Sequence, residues 1–260
     1  MGIWINDVDL ESLGLIIDNG TTGWRDLPAH QDAAVWIPGT LGQLVASPDA
    51  QVRPRQLVIS GAVRAASAQA LEAAVDALKA LLLSGGEVEV RFSTAPDRVH
   101  YARVESVQVP AIPPVLTQRV SRFSATLRCD VPLAFERTGR VVSFAAGPAE
   151  IELGTGPSAP TIRIGGPAAN PTVVYRDAWG REVARLEVSA TLDATQYLVI
   201  DCARQEVTDQ SGAWVNEVLS AGSDFPIFHP EDAAPGGLWP TIEVFPAPAS
   251  AEVFYRRTWI

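Results

Sequence analysis

The sequence predicts a mainly β protein of two domains, the first of which combines a β-sheet or barrel-like core with one flanking helix. Two segments of the first half alternate between apolar and polar residues, as half-buried strands do. A third segment repeats its apolar residues at the helical period. In the second half, turn residues recur at intervals of about ten residues, which is typical of an antiparallel sandwich. We therefore predict an N-terminal domain over residues 1–138 and a C-terminal domain over residues 139–260.

The helix is predicted over residues 67–84, SAQALEAAVDALKALLLS. Ser67 can cap its first turn, and Gly85-Gly86 can end it in a left-handed conformation. The polar face carries two acids and one base, which disfavours a helix lying on a membrane surface. We expect the apolar stripe to cover a sheet, and it consists of Leu71, Val75, Leu78 and Leu82.

The two alternating segments of the first half are predicted to be strands with one polar face. EVEVRF, residues 87–92, places its apolar side chains on one face and its charged side chains on the other. SRFSATLRCDV, residues 121–131, does the same over a longer run. Its apolar face consists of Phe123, Ala125, Leu127, Cys129 and Val131.

In the second half, residues 172–188, TVVYRDAWGREVARLEV, predict a hairpin that turns at Asp177 to Gly180. QYLVID (196–201) and AEVFYRRTWI (251–260) predict further strands, and no helical period follows residue 138. The boundary between the domains is expected near residues 136–142, because a complete helix-plus-sheet unit ends there.

Composition and charge exclude several classes of function. Residues 1–137 carry 15 acids and 12 bases, and residues 138–260 carry 15 acids and 8 bases, with no basic cluster. This balance argues against tight nucleic-acid binding, which depends on basic side chains. Acids stand where a secretory signal needs bases, and no apolar run is long enough to span a membrane. We expect a soluble protein made in the cytoplasm, with Cys129 and Cys202 as separate buried thiols.

The stretch SDFPIFHPEDAAPGGLWPTIEVF, residues 223–245, places His229, Glu231 and Asp232 within four positions of one another. A zinc site needs three or four ligands, and the other histidines, His30 and His100, lie in the other half. A general acid or base needs a positioned partner that this pattern does not identify. A polar loop between two strands is the favoured interpretation, with a catalytic or metal site as the alternatives.

Motifs for catalysis or nucleotide binding are weak or missing. Gly154-x-Gly156 begins a dinucleotide fingerprint, but Pro157 and Pro160 follow it where a helix should start, so we interpret the glycines as turn residues. No G-x-S-x-G elbow, P-loop, H-E-x-x-H or calcium loop occurs. We therefore assign no catalytic residue, cofactor or metal.

Two of the seven tryptophans are candidate surface contacts. Trp179 lies in the predicted hairpin turn, and Trp239 lies in the loop that follows His229. Aromatic residues on sandwich loops can anchor a protein interface or stack on a sugar ring. They can also fold back onto the core, and the sequence leaves these three roles open.

Taken together, these segments resemble the distal tail proteins of siphophages, also called minor tail proteins. The C-terminal likeness lies in APTIRIGGPAANPTVVYRDAWGREV, LDATQYLVIDCARQEVTDQSG, SDFPIFHPED and AEVFYRRTWI. In the first half it lies in RPRQLVISGAVRAASAQALEAAVDALKALLL, a strand that leads into a capped helix. The loop EDAAPGGLWP is longer than the corresponding turn of the family, which leaves its local geometry and surface undetermined.

The resemblance implies a structural protein of the virion tail tip or baseplate, assembled in the host cytoplasm. Such proteins form a homo-hexameric ring through the N-terminal domain, and a galectin-like β-sandwich projects outward. The ring joins the tail tube to the tip hub, next to the tape measure protein, around a lumen for DNA. It implies no enzyme activity, cofactor, membrane contact or specific nucleic-acid binding. We expect head-to-tail contacts between subunits, supplied by an edge strand such as EVEVRF or by the exposed face of SRFSATLRCDV.

Two rival functions accompany this interpretation. A glycan-binding module for the host cell wall is suggested by the galectin-like resemblance and by Trp239. A cell-wall hydrolase has less support, because none of the acidic residues is singled out as a catalytic pair.

Overall fold

The structure is a computed structural model that describes residues 2–18, 23, 30–31, 34–36, 43–45, 51–52, 54–83, 85–109, 119–145 and 147–260. For the short pieces between residues 30 and 52, only the backbone is described. The chain divides into two compact units, residues 1–134 with Ile260 and residues 135–259. Each unit has a buried apolar core of its own. Among the described residues, no helix combines the length and the apolar character needed to cross a membrane.

The first unit is built from antiparallel strands and one α-helix. Its main sheet has the neighbour order β2-β1-β9-β10-β11-β8-β3, and two small pairs join β4 to β7 and β5 to β6. The elements are β1 (Ile3–Ile5), β2 (Val8–Asp9), a 3-10 helix (Leu10–Leu13), β3 (Leu15–Ile17), β4 (His30–Gln31), β5 (Ala34–Trp36), β6 (Gln43–Val45), β7 (Gln51–Val52), β8 (Arg55–Arg64), α1 (Ala68–Leu82), β9 (Glu87–Phe92), β10 (Ala95–Gln108) and β11 (Val120–Cys129).

Helix α1 confirms the prediction made from its apolar stripe. The four stripe residues are its buried residues, and the helix lies against β8 and β10. The hydroxyl of Ser67 caps the helix by accepting a hydrogen bond from the amide of Ala70 at 3.1 Å. Gly85 and Gly86 follow with φ values of +80° and +96°, the left-handed conformation that ends the helical path. The helix and sheet together enclose the core of this unit.

Two predictions about the strands of this unit are wrong in detail. EVEVRF is β9, which lies between β1 and β10 and is paired on both sides, so it offers no edge to another subunit. SRFSATLRCDV forms β11 only as far as Cys129, and Val131 is 50% exposed because the chain has already left the sheet there. Arg91 is also buried on the polar face of β9, where it pairs with Asp7 and lies over the Trp4 ring.

The second unit contains two antiparallel sheets, ordered β13-β23-β15-β20-β21 and β14-β22-β17-β18, and small pairs that join β16 to β19 and β12 to β24. Its strands are β12 (Ala134–Glu136), β13 (Arg140–Phe144), β14 (Ala149–Glu150), β15 (Thr161–Gly165), β16 (Ala168–Ala169), β17 (Thr172–Arg176), β18 (Glu182–Glu187), β19 (Thr191–Leu192), β20 (Tyr197–Asp201), β21 (Glu206–Asp209), β22 (Thr241–Phe245), β23 (Ser250–Tyr255) and β24 (Thr258–Trp259). Short 3-10 helices occur at Asn216–Val218 and Pro230–Asp232.

The two sheets of this unit share one core, which makes it a β-sandwich. Ile162 and Ile200 enter the core from the five-stranded sheet, and Val173 and Ile242 enter it from the four-stranded sheet. Phe228 contacts the rings of Tyr175 and Tyr255, with ring centroids 4.9 and 5.6 Å apart. The predicted hairpin is β17–β18, whereas the terminal strand is broken at Arg256 and Arg257 into β23 and β24.

Candidate interaction surface

Trp179 lies at the tip of the β17–β18 hairpin, in a turn organised by one carboxylate. Asp177 is buried, and its Oδ1 accepts hydrogen bonds from the amides of Trp179 (3.0 Å) and Arg181 (2.8 Å). Burial alone would raise the pKa of Asp177, but the hydrogen bonds from Arg181 and Trp179 outweigh it and lower the pKa. Because the buried Asp177 carboxylate fixes the turn, the Trp179 ring can remain 56% exposed. The Arg181 guanidinium lies 5.3 Å from the centre of the ring.

The loop that follows His229 is organised by a second buried carboxylate, that of Asp232. Its Oδ2 accepts hydrogen bonds from the hydroxyl of Tyr175 at 2.8 Å and from the amide of His229 at 3.0 Å. Its backbone carbonyl accepts a hydrogen bond from the amide of Ala178 at 2.8 Å. Asp232 therefore joins this loop to the neighbouring hairpin turn. Burial and this acidic partner raise the pKa of the Tyr175 hydroxyl.

The side chains of His229 and Glu231 are separated by exposure from that of Asp232, which is buried. The His229 Nδ1 lies 3.7 Å from Glu231 Oε1, and both side chains face solvent. Asp232 points the other way, into the sandwich. No group of three or more possible metal ligands occurs in the described part of the chain. The arrangement agrees with the structural-loop interpretation of this stretch.

Trp239 is partly buried and packs against the sandwich core. It also lines a cleft of about 400 Å³ whose other walls include Arg140, Glu150, Glu152 and Tyr255. The cleft thus combines an indole ring with guanidinium and carboxylate groups, which are suited to polar ligands and to peptide backbone. The structure places the two predicted contact residues differently, since Trp179 is exposed on a turn and Trp239 lies at the side of this cleft.

Two carboxylates and two guanidiniums form an ion-pair cluster beside the cleft. Arg257 donates to Glu136 at 2.7 Å and to Glu152 at 2.6 Å. Arg140 donates to Glu136 at 3.1 Å and also pairs with Glu152. Burial would raise the pKa of Glu136, but its hydrogen bonds with Arg257 and Arg140 and their charges lower it. Since both carboxylates face guanidiniums, the cluster joins chain segments that lie far apart in the sequence.

Sequence reasoning missed this cluster, because Glu136 and Arg257 are separated by 121 positions. No local spacing connects them, and the only signal was the pair Arg256-Arg257 inside a run that otherwise predicts a strand. Such a pair interrupts the apolar alternation, which marks a position where the strand breaks or where the charges have a partner.

Gly154 and Gly156 lie against the backbone of Thr258. The amide of Gly156 donates to the carbonyl of Thr258 at 3.0 Å. A Cβ atom on Gly154 would lie 2.0 Å from that same carbonyl oxygen. Gly154 therefore allows close approach of the terminal strand, which is a different reason from the turn predicted for it.

Three other buried titratable groups are His100, Cys129 and Cys202. His100 is buried in the first unit, where it contacts Phe92 edge to face, and burial with the nearby Arg55 and Arg98 charges lowers its pKa to about 4. Cys129 and Cys202 are buried free thiols, and burial raises their pKa values to about 11 and about 12. The side chain of His30 lies outside the described residues.

Comparison with known proteins identifies the fold. The chain superposes on the Dit protein (gp 19.1) of phage SPP1, described as a paradigm of the hub adsorption apparatus in phages that infect Gram-positive bacteria. The TM-score is 0.76 at 16% sequence identity, over 100% of this chain and 99% of that chain. The mainly β fold and the resemblance to distal tail proteins are thereby confirmed at the level of the fold.

Two phage P2 baseplate structures in the activated conformation are weaker matches. The calcium-bound one has a TM-score of 0.48 at 10% identity, over 96% of this chain and 92% of that one. The strontium-bound one has a TM-score of 0.49 at 10% identity, over 98% of this chain and 97% of that one. These scores are too low to establish a common fold with the P2 structures. No protein-family model and no curated protein matches the sequence.

Proposed function

We propose that this protein is a structural component of a bacteriophage tail tip: a distal tail ring that joins the tail tube to the tip or baseplate hub. The observation that carries the proposal is the fold shared with SPP1 Dit over the full length of both chains. A match to one domain would leave the rest of the chain free for another function. Here the match spans both the helix-bearing unit and the sandwich.

The described side chains support a scaffold rather than an enzyme. The carboxylates that are most buried or most clustered, Asp177, Asp232 and Glu136, all hold turns or chain segments together. Acid–base catalysis needs at least one such group to face a substrate cavity with its proton available. The formal net charge of −10 also suits a ring through which DNA passes without being held.

The proposed ring is a homo-hexamer whose contacts come from the first unit. Because β9 is paired on both sides, the sheet offers its outer strands, β2 and β3, rather than EVEVRF. Ile16 in β3 is 55% exposed, and it is the kind of apolar residue that a head-to-tail interface would cover.

Mass measurement of the purified protein tests this proposal. We expect a particle of six times the 27.8 kDa monomer and six-fold rings in electron micrographs. Ile16→Asp should dissociate the ring, whereas Ile227→Asp, at an exposed apolar position of the second unit, should leave it intact. A protein that stays monomeric at micromolar concentration, alone and when mixed with tail tubes, would contradict the proposal.

Glycan binding by the second unit is the second candidate function, and the Trp239 cleft is the observation that favours it. An indole beside Arg140 and Glu152 can stack on a sugar ring and hydrogen-bond its hydroxyls. We expect saturable binding to host cell-wall sugars that Trp239→Ala abolishes and Trp239→Phe largely preserves. Trp179→Ala tests the exposed hairpin separately. No binding across a broad glycan panel would dismiss this function and leave the ring proposal untouched.

A further inference from the structure

Strand β13 ends the five-stranded sheet and is paired on one side only. Its neighbour is β23, in an unbroken register from Arg140 opposite Tyr255 to Phe144 opposite Ala251. Within the described residues, no other group hydrogen-bonds the backbone of residues 140–144. Such an edge presents N–H and C=O groups that can pair with a strand of another chain.

The other edges of the sandwich are protected by the chain itself. The segment that follows β21 folds back along it, and the Val215 amide donates to the Val207 carbonyl at 2.9 Å. A later segment covers β18, where the Ser220 amide donates to the Glu187 carbonyl at 3.0 Å. The fourth edge, β14, is only two residues long, which is itself a form of protection. The open edge of β13 is therefore an exception within this unit.

Strand β13 also lacks the usual sequence protection of an edge. Its residues are RVVSF, with no proline and no bulge. The single charge, Arg140, is held by Glu136 and Glu152. Edge strands that must stay unpaired usually carry an outward charge, a proline or a bulge. The sequence of β13 leaves its edge able to accept a partner strand.

Two hollows lie on either side of this edge. A groove of about 440 Å³ on the outer face is lined mainly by apolar groups, among them Val141, Phe254, Pro157 and Ala159. Val141 and Phe254 face each other across the strands and are 54% and 38% exposed. The Trp239 cleft also includes Val142, which points to the opposite face of β13 from Val141 because successive side chains of a strand alternate. Alternate side chains of an added strand would enter the groove and the cleft in turn.

The charge of the second unit indicates which kind of partner strand would bind to the β13 edge. Residues 135–259 carry 16 acids and 9 bases, a formal net charge of −7, so a basic segment complements this unit better than a second copy does. Glu150 lines the cleft, is exposed and has no ion-pair partner among the described residues. Apolar side chains suit the outer groove, and basic side chains suit the Glu150 side.

We propose that the open edge of β13 binds, by strand addition, an extended segment of another protein in which apolar residues alternate with basic ones. The main-chain hydrogen bonds supply affinity, and the groove and the cleft select the alternating side chains. This inference concerns residues 135–259 alone, and it stands whether or not the chain assembles into a ring.

The test uses the full-length protein and a synthetic ten-residue peptide of alternating valine and lysine. Fluorescence anisotropy measures binding, and hydrogen exchange locates it. We expect saturable binding and slower exchange of amides in residues 140–144, with no change in residues 206–209 of the covered edge. An alternating valine–glutamate peptide should bind at least about tenfold more weakly.

Two variants and a matched control separate strand addition from general attraction to lysine. Val141→Lys and Ser143→Pro should each weaken binding at least about tenfold. Val183→Lys places the same charge at an exposed apolar position of the covered strand β18 and should leave binding unchanged. Unaltered exchange at residues 140–144, or equal binding by all variants, would overturn the proposal. A dimer that Val141→Lys abolishes would also overturn it, because the edge would then belong to a second copy.

Discussion

Asp232 shows how one buried carboxylate can determine the conformation of a loop that looked catalytic. It accepts hydrogen bonds from the Tyr175 hydroxyl and the His229 amide, and both would lose their partner in Asp232→Ala. We expect that variant to lose about 1–3 kcal/mol of unfolding free energy, because the Tyr175 hydroxyl stays buried. Urea unfolding measures the change. Asp232→Asn should lose less, and Glu231→Ala, at an exposed neighbour, should be neutral.

If Asp232→Ala and Glu231→Ala prove equally stable, the loop does not depend on this hydrogen bond. In that case the interpretation of Asp232 as the residue that holds the loop is wrong. The exposure of the Glu231 side chain, 76%, makes it a suitable control, since it shares the loop but not the burial.

His100 makes the stability of the protein depend on pH. Burial first, and then the charges of Arg55 and Arg98, lower its pKa from 6.5 to about 4. Between these values the unfolded chain binds a proton and the folded chain does not, so stability falls as pH falls. The loss should approach roughly 3 kcal/mol across this window and be smaller in His100→Phe. Urea unfolding at a series of pH values measures it, and an imidazole that titrates near pH 6.5 by NMR would contradict it.

Helix α1 is an element whose start depends on a single side chain. Ser67 caps it through the amide of Ala70, and Ser67→Ala should cost about 1 kcal/mol. Gln69→Ala, at an exposed position two residues further on, should have no measurable effect. Thermal unfolding compares the two variants, and equal midpoints would show that packing of the apolar stripe alone determines where the helix begins.

Each unit of the molecule has its own core, and the sandwich should therefore fold without the rest of the chain. The core of residues 135–259 draws on both sheets and includes the aromatic cluster around Phe228. A domain of this size can bury enough apolar surface to be stable alone. We expect a fragment of these residues to unfold cooperatively in urea, with a sharp transition seen by tryptophan fluorescence. A gradual, non-cooperative change would show that the unit needs the first 134 residues.

Local pattern in the sequence was enough to predict helix α1, the β17–β18 hairpin, the buried thiols and the mainly β fold. These features depend on alternation between buried and exposed positions within a few residues, and such periodicity is written directly in the chain. The predicted contact residues Trp179 and Trp239 remain predictions, although the structure shows that their surroundings differ.

Only the tertiary structure decided which segments meet. It placed EVEVRF inside the sheet, brought Arg257 to Glu136 across 121 positions and joined the Asp232 carboxylate to the Tyr175 hydroxyl. Within the described residues, it also left the edge of β13 open while covering the edges of β18 and β21. A strand of given periodicity satisfies its own pattern equally well at an edge or in the interior. Strand neighbours and ion pairs between distant residues are therefore determined by the packing of the whole unit.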